Sequence, residues 1–322
     1  MNLTFLLTAY GPPGPVNNGV FVLTFVLFCL TIFSNLVLMF VIYVDSTLHK
    51  PMYILLFNLA VNGLVGCTSV CPKVMENLIK VVPDITHKGC LLQVFFIYAH
   101  AVSAYAILTA MAYDRYVSIC KPLQYYSIMT PFKVKLLLVI VNVIPIILLA
   151  IQVFITSSLP LCGYIIDKLF CDNLAIVNLS CVQSAASNVF GILLTLILVV
   201  LPLVLVVLSY IRILIVSLKA SKDSQKKAFS TCAPHLITFI NFSAAILFSV
   251  IYNRYSVVSR EVNIIIAAAF ILFPPLLNPL IYGIRTKEIK TAIRKILRGR
   301  VFGLSNDVAH LKPKPVMVSN ST

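Results

Sequence analysis

Met111-Ala-Tyr-Asp-Arg-Tyr-Val-Ser-Ile-Cys120 closes an apolar run in which Gly89 to Tyr113 carry no Lys, Arg, Asp or Glu, so Asp114 and Arg115 are its first formal charges. A charge at a bilayer centre costs about 2.5 to 3.5 kcal/mol on insertion scales, so this pair belongs at a membrane surface. The run before it is long enough to cross, because a spanning helix needs about 20 residues. By itself the pair is equally well read as an ordinary helix-end salt bridge.

Outward from this stretch the pattern repeats. Apolar runs alternate with charged clusters at Val20–Val44, Pro51–Pro72, Gly89–Tyr113, Leu136–Phe154, Val189–Ile211, Ala228–Tyr252 and Val262–Ile284. With 322 residues, 60% hydrophobic, 11% charged and no Trp, and a mean hydropathy of +1.00, the chain is too apolar for a soluble enzyme of this length. Period-two alternation is absent, which disfavours a barrel and favours helices that satisfy their own backbone. The predicted fold is an all-α membrane protein, a bundle of seven transmembrane helices over residues 20–284. An extracellular segment at 1–19 precedes it, a short amphipathic helix on the membrane surface at 285–298 follows, and a disordered cytoplasmic tail at 299–322 ends it.

With the N-terminus outside, the inner segments hold +14 of the formal charge of +15, the asymmetry that the positive-inside rule expects. The basic residues flank apolar spans without an aromatic-interleaved groove, so nucleic acid is not an expected partner. The lipid bilayer is. Sequons at Asn2 and at Asn178-Leu-Ser180 fall on the outer side and are candidate glycosylation sites.

Polar residues inside the spans need partners in the bundle. Asn35 should face inward, and Asn58 and Asn62, one turn apart, should bond neighbouring helices. His100 is expected as a neutral, hydrogen-bonded histidine. Tyr98, Ala101, Val102 and Tyr105 line one helical face. Pro145 should kink span four, Pro202 should break span five, and Pro279 should make span seven irregular at Asn278.

Cys90, Cys162, Cys171 and Cys181 are outer-facing, enough for two disulfides with three possible pairings. Cys232 and His235 have the spacing of half a zinc site without a second half, so no metal and no cofactor are expected. After span seven, Ile289, Ile293, Ile296 and Leu297 share a face opposite Lys287, Lys290, Arg294, Lys295 and Arg298. No span holds a paired carboxylate or a Ser/His constellation, which argues against an enzyme, and the spans lack the matched charges of a transporter.

Leu48-His-Lys-Pro-Met-Tyr53, Met111-Ala-Tyr-Asp-Arg-Tyr116, Lys227-Ala-Phe-Ser-Thr-Cys232 and Pro275-Leu-Leu-Asn-Pro-Leu-Ile-Tyr282 resemble the olfactory receptors of the rhodopsin-like (class A) G-protein-coupled receptors. The resemblance covers Asn35 to Arg298. Phe57-Asn-Leu-Ala-Val-Asn-Gly-Leu64 and Thr231-Cys-Ala-Pro-His-Leu236 are more similar to the fish-type members.

The resemblance implies a receptor that binds a small odorant within the bundle and activates a stimulatory G protein to raise cyclic AMP. It would sit in the plasma membrane of sensory cilia, with arrestin and a trafficking chaperone as further partners. It implies a switch in which Asp114 holds Arg115 at rest beside Tyr116, Tyr210 and Tyr282 move in on activation, and Asn278-Pro279 supplies a hinge. It pairs Cys90 with Cys171 and leaves Cys162 for Cys181. By class-wide analogy the pocket involves Tyr98, Ala101, Val102, Tyr105, Leu194, Ser243, Leu247 and Ala268. The chain departs from the family at two points. Gly63 stands where the wider class has a sodium-anchoring Asp, and Phe242-Ser243 stands where many odorant receptors have Phe-Tyr.

Overall fold

The computed structural model describes residues 3–182, 184–252 and 260–310. Among them are seven helices long and apolar enough to cross a membrane. The first four are Pro15–Val44, Pro51–Ile79, His87–Cys120 and Pro131–Ser157. Span five runs over Ala185–Leu218, span six over Lys222–Tyr252 and span seven over Arg260–Arg285, the fifth and seventh each in three pieces. Three spans start on a proline, where the missing N–H is one the helix could not have satisfied. Thr86, Thr130 and Ser184 cap spans three, four and five by accepting a backbone N–H.

Span three is the axis: 61% of its most apolar stretch is buried, against 17% for span five and 22% for span four, which turn most of their side chains outward. The amides act as expected between helices. Asn142 Nδ2 donates to Asn58 Oδ1 at 3.1 Å, joining spans two and four. Asn35 Nδ2 donates to Pro275 O at 2.9 Å, joining spans one and seven. A Cβ on Gly63 would stand 3.2 Å from Pro275 Cβ and 3.6 Å from Asn35 Oδ1, so the missing side chain lets three spans close at this point.

The prolines act differently from expectation. Span five does not break at Pro202; its backbone widens into a π-turn at Leu196–Val200 and continues as α-helix. Span seven is regular through Pro279, and its irregularity lies upstream, in a π-turn at Ala268–Leu272 just before Pro274 and Pro275. Each ring needs room at the carbonyl four residues back, and a wide turn ahead of it supplies that room. Span four continues as helix through Pro145.

The N-terminal segment is ordered, which its Gly/Pro-rich composition did not suggest. Strand β1 (Thr4–Leu7) pairs antiparallel with β2 (Asp84–Thr86) and parallel with β3 (Ile165–Ile166), in the order β2-β1-β3. Phe5, Leu7 and Tyr10 are buried beneath it. Tyr10 Oη donates to Leu169 O at 2.5 Å, and Thr8 Oγ1 donates to Asp167 Oδ1 at 2.8 Å. Burial holds the Tyr10 phenol well above its ordinary pKa. Disulfides Cys90–Cys171 and Cys162–Cys181 tie down the loop after span four.

The last helix, Lys287–His310, runs past Arg298 into the expected tail, with no proline to stop it before Pro313. Residues 311–322 of that tail lie outside the described residues. Ile289 and Ala292 are buried against the bundle and Ile293 and Ile296 partly so, whereas Leu297 is exposed.

Candidate functional site

At the basic end of the bundle Asp114 is buried and accepts a hydrogen bond at 2.7 Å from Tyr125 Oη, on the short helix Tyr125–Ile128. No ion pair joins Asp114 to Arg115 among the described residues. The expected resting bridge is thus replaced by a tyrosine. Consecutive side chains leave a helix about 100° apart, and here the two are turned to different partners. Asp114 turns toward the loop after span three and Arg115 toward spans six and seven. Burial first, and the Asp114 carboxylate second, push the Tyr125 phenol above its ordinary pKa, so it stays a donor. Tyr116, partly buried, packs on the same side against Val117, Met129 and Val134.

Arg115 borders a cavity of about 550 Å³ with Tyr53, Asp223, Pro234, Tyr282 and Glu288. Its Nε is buried without a hydrogen-bond partner. The guanidinium lies close enough to act electrostatically on Tyr210, Cys232, His235 and Tyr282. Tyr282 is buried, and its hydroxyl faces that of Thr238 without a well-formed hydrogen bond between them. Asn278 and Pro279 are buried one turn earlier, and Asn278 Oδ1 has no partner.

Tyr210 is engaged elsewhere. Its hydroxyl lies 2.6 Å from His235 Nδ1, while His235 Nε2 lies 2.8 Å from Leu108 O. A carbonyl can only accept, so Nε2 carries the proton and Nδ1 receives the Tyr210 O–H. One histidine thereby ties spans three, five and six, and both its nitrogens are used. No group of three metal-ligating side chains exists among the described residues. Sequence reading left His235 out of the switch. Its signal was an ionisable residue inside a span, the same signal that singled out His100.

His100 occupies the middle of the bundle, its Nδ1 at 2.6 Å from Asn62 Oδ1 and 3.0 Å from Asn62 O. The backbone carbonyl makes Nδ1 the donor and the ring a neutral tautomer, with Nε2 buried and unpartnered. Its ring fills space left by Gly66, where a Cβ would come within 2.3 Å.

The expected pocket residues divide. Tyr105 Oη and Ser243 Oγ are 3.0 Å apart, and the Tyr105 ring stacks on Phe239 with centroids 4.9 Å apart. Ser243 thus meets the hydroxyl of span three from span six. Val102 and Leu194 are buried in one cluster with Ala99, Leu149 and Leu198, and Tyr98 packs against it. Ala101 is buried and Ala268 partly so. Leu247 is 60% exposed on the outside of span six and lines no interior space.

Residues 23–300 match the family described as "Olfactory receptor". Relatives include human Olfactory receptor 52K2, 35% identical over 83% of this chain and 86% of its own. Mouse Olfactory receptor 10J5 is 31% identical over 90% and 94%. The dog Olfactory receptor-like protein OLF3 is 33% identical over 95% and 96%. Together with the seven spans, these matches establish that the chain belongs to the olfactory receptor family: it is a multi-pass membrane receptor of the G-protein-coupled class and not an enzyme.

Proposed function

We propose that an odorant enters the bundle between spans three, five, six and seven and parts the Tyr105–Ser243 contact, and that the resulting shift of span six frees Arg115 to engage a stimulatory G protein and raise cyclic AMP. The observation that carries this reading is the state of Arg115. It is half-buried beside a cavity at the basic end, with an unpartnered Nε and, among the described residues, no carboxylate bound to it. An ordered guanidinium without an internal anion is a donor held ready for a partner.

Around it, Tyr210 is tied to His235 and Tyr282 stands unbonded, so both can re-pair when span six moves. Ligand shifts such an equilibrium only by its differential affinity for the two states. The apolar lining from Tyr98, Ala101, Val102, Leu194 and Ala268 favours an odorant held by shape and dispersion. This reading places the N-terminus outside, in the plasma membrane of sensory cilia, with Asn178 available for glycosylation; the Asn2 sequon lies outside the described residues. Arrestin and a trafficking chaperone belong to the same reading, as does the fish-type branch.

The test is a cyclic AMP assay in cells expressing the receptor, against an odorant panel. An odorant response that disappears in Arg115→Ala at matched surface expression supports the reading. A response unchanged by that substitution contradicts it.

A further inference from the structure

Between spans two and three, at the disulfide end, the wall of the bundle carries a groove of about 720 Å³ bordered by exposed side chains of both helices. We infer that this groove holds one zwitterionic phospholipid from the adjoining leaflet.

Its two halves differ in chemistry. At the top, Lys73, Lys80 and Asp84 line the groove, and Glu76 beside them closes a ring of ion pairs. Lys73 Nζ lies 3.0 Å from Glu76 Oε1 and 3.9 Å from Asp84 Oδ1, and Lys80 Nζ lies 2.6 Å and 2.8 Å from the same two oxygens. Farther down, the side chains that border the groove are Val65, Leu92 and Phe96, all substantially exposed to the membrane side. Thr68 and Ser69 line it too, but their hydroxyls are spent within the helix on Leu64 O at 2.7 Å and Gly66 O at 2.8 Å. Below the charged ring the groove therefore offers apolar surface and little else.

Length and charge identify the occupant. From Lys80 down to Val65 span two descends about 22 Å at about 1.5 Å per residue, enough for a headgroup and one acyl chain in a hydrocarbon core about 30 Å thick. The ring carries two ammonium groups and two carboxylates and is formally neutral. A phosphate can share Lys73 and Lys80, while the quaternary or primary amine of the same headgroup faces Glu76 and Asp84. An anionic headgroup would satisfy the lysines and leave the carboxylates opposed to its net charge. The back of the groove is also firm, since Gln93 Oε1 accepts Cys171 N at 2.8 Å and anchors that wall to the disulfide loop.

The test uses the full receptor in phosphatidylcholine vesicles doped with phosphatidylcholine bearing a photoactivatable group midway along one acyl chain, with cross-linked positions mapped by mass spectrometry. Labelling should concentrate on Val65, Leu92 and Phe96. It should fall about fivefold in Leu92→Trp, which fills the groove, and stay level in Phe154→Trp on the exposed face of span four. The same probe with a phosphatidylglycerol head should label these positions more weakly. Even labelling over all exposed spans would overturn the proposal, as would equal or stronger labelling by phosphatidylglycerol, or displacement of the probe by free fatty acid. Should Leu92→Trp fail to fold, the map on the unsubstituted receptor and the headgroup comparison decide.

Discussion

The two ends of the bundle are built on opposite plans. The disulfide end is closed by covalent bonds Cys90–Cys171 and Cys162–Cys181, by a three-stranded sheet drawn from three distant segments, and by the buried ion pair of Lys168 with Asp172. The basic end has no such clamp. Among the described residues it is held by exchangeable contacts, the hydrogen bonds of Tyr125 to Asp114 and Tyr210 to His235 and the ion pair of Lys295 with Asp45. Single hydrogen bonds and ion pairs can be exchanged for others at small cost, whereas a disulfide cannot open without chemistry. Under the proposed function, the contrast makes one end a fixed frame and the other the element that moves.

Breaking the frame should have the largest effect. Cys171→Ser opens a bond spanning 81 residues, and loss of such a disulfide costs about 2 to 5 kcal/mol. Surface immunostaining should show most of the receptor retained inside the cell. Cys181→Ser, whose bond spans 19 residues, should cost less. Reversal of that order would mean that the N-terminal sheet, rather than the span-three anchor, sets the frame.

At the other end, Tyr125→Phe removes the hydroxyl that Asp114 accepts. Leaving a buried acceptor unpaired costs about 1 to 3 kcal/mol. The receptor should still fold and reach the surface, while its odorant-free cyclic AMP level rises several-fold because the resting arrangement has lost a bond. A fall in surface expression with unchanged basal signalling would make Tyr125 part of the frame.

Tyr10→Phe is the counterpart at the disulfide end. It deletes one hydrogen bond, to Leu169 O, of about 1 kcal/mol. Thermal unfolding of the purified receptor should move down by a few degrees with basal signalling untouched.

The smallest effect should be at Asp45, whose carboxylate the Thr47 hydroxyl and N–H hold below its ordinary pKa. Its contribution is present above the unfolded carboxylate pKa and is lost as pH falls through the depressed folded value. Asp45→Asn should therefore lower the unfolding temperature slightly at neutral pH, and the difference should vanish in acid.

Much of this contrast was written in the residues. Seven apolar runs separated by charged loops sufficed for the spans, and the amides Asn35, Asn58 and Asn62 announced helix contacts because hydrocarbon offers them no other partner. The N-terminal sheet was not legible. Thr4–Leu7 is a four-residue strand whose partners lie far along the chain, and nothing local encodes such pairing. The disulfide pairing was open among three choices for the same reason. At the switch, Asp114 and Arg115 were found, but adjacency in sequence suggested a bridge the structure does not form, and the partner of Asp114, Tyr125, comes from the following loop. Proline positions predicted irregular helices but not where the backbone would widen. Leu247 was misjudged because the helix turns it outward at a residue whose hydrophobicity suits lipid and pocket equally.

The claim that one end is fixed and the other moves is tested most directly by paired distance measurements. Spin labels at Phe132 and Phe229 report on spans four and six at the basic end; labels at Phe154 and Phe248 report on the same two spans toward the disulfide end. All four side chains are exposed. Addition of an activating odorant should lengthen the Phe132–Phe229 distance by several ångströms and leave the Phe154–Phe248 distance unchanged. A shift confined to the Phe154–Phe248 pair, or equal at both ends, would contradict the account.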